Sequence, residues 1–316
     1  MARLGGSLIH RCRDTGLLGL VVLAAALFWA MAPVLGEMVD RWGSDPRYSH
    51  GYLVPLFALY LAWRRWPTWS ERLEAARPSS GWGLGFIAGG AGIQALGGYT
   101  GSLWLAGVAL LPYLMGLLAL WRGRPAVGWA LPSILFLVFM VPLPYRLEVA
   151  LGPPLQALAT RLSTFALQVL GLMAFSEGNI IRLGEHRIGV VEACSGLSMA
   201  MTFVALATAT ALLVRRPLLD RLILVVSAVP IALAANVLRI VLTGVLYQVA
   251  DSSLAEHFYH DLAGWLMIPL ALVMLGGVAA LVARMLIEYE EPGRVVVGLD
   301  PVALAPGTAR VQGRTR

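Results

Sequence analysis

The sequence predicts an all-α polytopic membrane protein with about eight transmembrane helices, one interfacial helix and a short extracytoplasmic β-hairpin. Three observations lead there. Hydrophobic residues make up 58% of the 316-residue chain and charged residues only 13%, against about 25% charged in a typical soluble domain. Apolar runs recur near the ~20 residues that cross a bilayer. The basic residues are all arginine, 24 of them, and they gather at the ends of those runs rather than in a patch that would suit nucleic acid.

Taken in order, the first apolar run, Leu17 to Gly36, follows Arg3, Arg11 and Arg13. No small-residue cleavage pattern follows it, so it reads as a first transmembrane helix and not as a signal peptide. Further spans are expected at 50–66, 81–98, 103–121, 126–142, 194–214, 222–248 and 263–285. The segment 148–176 is long enough to cross but carries Gln156, Thr160, Arg161, Ser163, Thr164 and Gln168. Gln156, Thr160, Ser163 and Thr164 recur near helical spacing, a polar stripe that suits an interfacial or cavity-lining helix.

Charge asymmetry decides the topology, because arginine is retained on the cytoplasmic side. With 148–176 kept out of the spanning set and the N-terminus inside, seventeen arginines fall inside and six outside. If 148–176 spanned, Arg215, Arg216, Arg221 and the C-terminal arginines would flip outward. The expected chain therefore has both termini cytoplasmic, a transmembrane unit over 1–287 and a disordered tail over 288–316. Residues 177–192 are rich in β-branched residues about a polar centre and read as a β-hairpin, which must stay out of lipid or be shielded by protein.

Of the two cysteines, Cys12 lies in a basic N-terminal segment expected to be cytosolic and reduced, so a structural disulfide with Cys194 is not expected. Cys194 lies in Glu192-Ala-Cys-Ser-Gly-Leu197, at the outer start of a span. A lone membrane cysteine is more often a small buried thiol, but a helix N-terminus lowers a thiol pKa and favours the thiolate. Arg239 falls inside the run 222–250, in Asn236-Val-Leu-Arg-Ile240, three residues from Asn236 and so on the same face. An arginine there either snorkels to headgroups or faces protein or a wet cavity. His260 lies in His257-Phe-Tyr-His-Asp-Leu-Ala-Gly-Trp265, before the last span. It reads either as an interfacial histidine or as a proton donor, with His257 an alternative and Asp261 able to orient either ring.

Thiol, arginine and imidazole fall at the outer ends of three consecutive expected spans. A thiol nucleophile needs a histidine to move its protons, and a tetrahedral oxyanion needs a positive partner. The set describes acyl transfer at a peptide bond. Glu192, Ser195, Asn236 and His50, in Tyr48-Ser-His-Gly-Tyr-Leu-Val-Pro55, stand as supporting or substrate-binding candidates. A metal on His50, His257 and His260 is not expected, since no His-x-x-x-His or glutamate pairing supports it, and no cofactor motif is present.

The stretches Glu-Ala-Cys-Ser-Gly-Leu, Asn-x-x-Arg-Ile and Phe-Tyr-His-Asp-x-x-Gly-Trp, with Tyr48 to Pro55 and Val141-Pro-Leu-Pro144, resemble the exosortase/archaeosortase family over roughly residues 40–285. The resemblance implies a membrane cysteine peptidase or transpeptidase. Its partners would be exported proteins ending in a sorting signal: a short motif such as Pro-Glu-Pro, a transmembrane helix and a basic cluster. It implies Cys194 as nucleophile, Arg239 as the arginine and His260 as the histidine. The rivals are a transporter or lipid flippase that binds anionic headgroups through Arg239, and an acyl- or glycan-transferring membrane enzyme.

Overall fold

The computed structural model of the chain describes residues 2–45, 47–184, 186–189, 197–214 and 216–249, with scattered positions between 269 and 280. It is mostly helical. The elements are α1 (Ala2–Ser44), α2 (Leu53–Glu74), α3 (Ser80–Thr100), α4 (Leu103–Val108), α5 (Leu110–Phe136), α6 (Tyr145–Val169), β1 (Ala174–Glu177), β2 (Ile180–Leu183), β3 (His186–Gly189), α7 (Leu197–Leu213) and α8 (Leu218–Val249). Two 3-10 turns, Ser49–Tyr52 and Leu137–Met140, lead into α2 and out of α5.

Among the described residues, three helical stretches are long and apolar enough to cross a membrane: Leu18–Ser44, Leu103–Met140 and Leu218–Gln248. Helices also cover the expected spans at 50–66 and 81–98 and, from Leu197, the described part of that at 194–214. However, α2 runs on into a stretch bearing Arg64, Arg65 and Arg72, α3 is diluted by glycine, and α7 has only 17 residues. Most of the expected last span lies outside the described residues. Its Leu270, Met274 and Val278, one face at helical spacing, pack on the α7–α8 core around Phe203, Ala228 and Ile231.

The expected break between spans at 122–125 falls within α5. Arg122 and Gly123 leave helical geometry there, and Gly123 takes φ +66, ψ −157, a region open essentially to glycine alone. A side chain at Gly123 would also run into the carbonyl of Arg77. The two halves of α5 therefore fold back on α3 and α2 through this one residue.

Where a hairpin is expected over 177–192, the described residues form a three-stranded antiparallel sheet in the order β1-β2-β3. Its first strand takes residues from the end of the expected 148–176 helix. Termination explains the difference. At the end of α6, Gly171 takes φ +84, its N–H donates to Gln168 O, and Leu172 N–H donates to Leu167 O. That double bond pattern closes a helix through a left-handed glycine. It frees Ala174 to pair with Leu183. One face of the sheet is shielded by protein: Ala174, Ile181, Leu183 and Ile188 join Ala159 and Leu167 of α6 and Ile240 and Val241 of α8 in one apolar cluster. His186 stacks on Tyr247 of α8 at 5.4 Å.

Candidate functional site

Cys194, with Glu192 and Ser195, and His257, His260 and Asp261 lie outside the described residues. The elements next to them in the chain are described. Leu197, three residues past Cys194, opens α7; α8 carries Asn236 and Arg239; and the 3-10 turn at Ser49–Tyr52 carries His50.

Arg239 is 8% exposed and Asn236 is 0% exposed. An arginine reaching for headgroups would keep its guanidinium outside, so burial favours the interior alternative. The α8 face that carries them also buries Ala232, Ala235, Ile240 and Thr243, and Thr243 donates its hydroxyl to the Arg239 carbonyl at 2.9 Å. Next to Arg239, Ile240 and Val241 pack with Ala159 and Leu167 of α6. The polar stripe expected on α6 is real and inward: Thr160, Ser163 and Thr164 are buried on the helix that packs along α8. Buried hydroxyls and amides need partners; Thr160 and Thr164 turn back to carbonyls four residues earlier, at 2.8 Å each.

The first half of the same α6 face lines a cavity of about 260 Å³. Its wall is made by Tyr145, Glu148, Val149, Gly152, Pro153 and Gln156 of α6, with Arg47 before α2 and Leu197 at the start of α7. Chain length alone keeps the Cα of Cys194 within about 11 Å of that of Leu197.

Each charge in this wall is held by a neighbour outside it. Arg47 donates from Nε to both oxygens of Asp45 at 3.0 Å and from Nη2 to Oδ2 at 2.7 Å. Tyr48, 2% exposed, donates its hydroxyl to Glu148 and accepts the N–H of Leu143 at 3.3 Å. Burial alone would raise the Asp45 carboxyl, but the hydrogen bonds and charge of Arg47 outweigh it and hold it below the ordinary carboxylate value. Burial, then the hydrogen bond and charge of Glu148, push the Tyr48 hydroxyl well above an ordinary phenol. Both groups therefore keep one protonation state through the physiological range.

His50, 8% exposed, sits just beyond this cluster. Its Nε2 lies 3.1 Å from the Phe139 carbonyl and its Nδ1 3.5 Å from Thr202 Oγ1 of α7. Both nitrogens are committed to joining three elements, which favours the structural role over substrate binding. Trp42 reinforces the joint by donating Nε1 to the Met140 carbonyl at 2.8 Å.

Residues 42–277 match the family model described as transmembrane exosortase. The chain belongs to the transmembrane exosortase family. No curated protein and no solved structure matches it. In this exosortase the matched region spans Trp42, the Arg47–Tyr48–Glu148 cluster, the cavity and the Asn236–Arg239 face. Among the described residues, no group of His, Cys, Asp and Glu is gathered to hold a metal.

Sequence reasoning passed over Arg47 and Glu148. A signal for Glu148 was available, since it is the single acidic residue between Glu74 and Glu177. An isolated carboxylate in so apolar a stretch requires a partner or a wet cavity, and here it has the Tyr48 hydroxyl as partner and lines the cavity.

Proposed function

We propose that this exosortase is a membrane-embedded cysteine peptidase or transpeptidase that cleaves the C-terminal sorting signal of exported proteins. The observation that carries the reading is the burial of Arg239 and Asn236 on one face of α8, within the region matched to the family. A buried ionisable residue in an apolar span is costly and is retained for function. The topology we favour has eight spans over 1–287, the 288–316 tail and both termini cytoplasmic, and the site at the outer face of the cell membrane.

In the proposed reaction the substrate's terminal helix enters among the spans with its basic end cytoplasmic. The Cys194 thiolate attacks the scissile carbonyl carbon and a C–S bond forms. Arg239 neutralises the oxyanion. The C–N bond then breaks as protonated His260 gives its proton to the leaving amine. Water or an amine attacks the resulting thioester, surrendering a proton to His260, and the C–S bond breaks to restore the thiolate.

The test co-expresses an exported protein ending in motif, helix and arginine cluster. Cys194→Ala and Cys194→Ser should leave it unprocessed, and mass spectrometry should find the wild-type acyl-enzyme on Cys194. Processing at the wild-type rate by both variants would sink the reading. A lipid transporter would need Arg239 and spare Cys194.

A further inference from the structure

We infer that the cavity between the start of α6 and the start of α7 is a peptide subsite that grips the substrate's main chain beside the scissile bond. The inference rests on the peptidase reading of Cys194. Its first support is placement, because Leu197 forms part of the wall and the nucleophile can lie no further than about 11 Å along the chain from it.

The second support is the chemistry of the wall. Arg47 offers donors, Glu148 offers an acceptor and Gln156 can do either. A ligand that uses this wall must present both a carbonyl and an N–H, over an apolar floor of Val149, Pro153 and Leu197. An extended peptide segment has that alternation.

Preorganisation is the third support. The two charges of the wall are locked from behind, Arg47 by Asp45 and Glu148 by Tyr48, so they meet a ligand without rearranging. A zwitterionic lipid headgroup also carries both signs, but it supplies no reason for the wall to include Leu197, three positions from the nucleophile.

Gly152 provides the test. It lines the cavity, and a Cβ placed there would meet only Leu197 Cδ2, at an ordinary 3.9 Å. Gly152→Ala is thus accommodated and also raises helix propensity, while Gly152→Leu extends into the cavity. In a Cys194→Ala background, purified in detergent, a labelled synthetic peptide covering the ten or so residues before a substrate's terminal helix should bind. Gly152→Leu should weaken it by about tenfold or more, and Gly152→Ala by less than about twofold. Glu148→Gln and Gln156→Leu should each weaken it, and they carry the comparison if Gly152→Leu does not accumulate. Equal affinity across the set, no peptide binding, or displacement by phosphatidylethanolamine vesicles but not by unlabelled peptide would each overturn the inference. Loss of processing in Cys194→Ala, read separately, would leave the peptidase reading standing in those cases.

Discussion

The hydroxyl of Tyr48 donates to the carboxylate of Glu148, one hundred residues further along the chain. This bond fastens the first turn of α6 to the segment between α1 and α2. With the Arg47–Asp45 pair just before Tyr48 in the chain, it holds Arg47 and Glu148 in the cavity wall that Leu197 of α7 shares. The joint has a defined pH response.

Asp45 is held below the ordinary carboxylate value, so its contribution is present above about pH 3.9 and is lost as pH falls through its lower folded value. Tyr48 is raised, so its contribution is present below about pH 10 and is lost as pH rises through its folded value. Thermal melting in detergent should therefore show no contribution from either group's titration between about pH 5 and 9. Tyr48→Phe should remove part of the alkaline decline and Asp45→Asn part of the acid one. A Tyr48→Phe profile that differs from wild type by a constant offset at every pH would contradict the assignment.

Gly123→Ala should destabilise the protein by about 1–3 kcal/mol, because the residue sits in backbone space reserved for glycine and faces the Arg77 carbonyl. Gly85, on α3 with open space around its Cα, is the control: Gly85→Ala should be neutral or slightly stabilising. Melting temperatures of the two variants decide the matter.

His50→Ala should cost about 1–3 kcal/mol, the penalty of stranding the Phe139 carbonyl, while the Thr202 hydroxyl keeps its bond to the Ser198 carbonyl at 3.1 Å. Processing per folded molecule should persist. A variant that melts like wild type but no longer processes substrate would instead make His50 a functional residue.

Arg239→Lys keeps the charge but loses the planar fork. On the proposed role it should slow processing by about a hundredfold or more while the protein still inserts and accumulates. Arg239→Leu should also accumulate and be inactive. Retained processing in Arg239→Leu would assign the residue to packing.

By itself the sequence determined the membrane character, the positions of most helices and the break at 122–125, since hydrophobic length, arginine placement and glycine are local properties of the chain. It also determined that the α6 stripe faces inward or into an interface, because periodicity alone separates one helical face from another. It overran the end of α6, where the bond pair around Gly171 closes the helix, and so it missed β1, a strand legible only through its pairing with β2. It marked Arg239 as anomalous, but whether that side chain snorkels or is buried depends on what α6 places against α8. The cavity was invisible in the same way. Arg47 and Glu148 are distant in the chain, and although the isolation of Glu148 marks it, only the packing of α6 against Tyr48 and Leu197 brings the two to one wall. Local chemistry is written in the order of residues; the meeting of distant charges depends on how the helices pack.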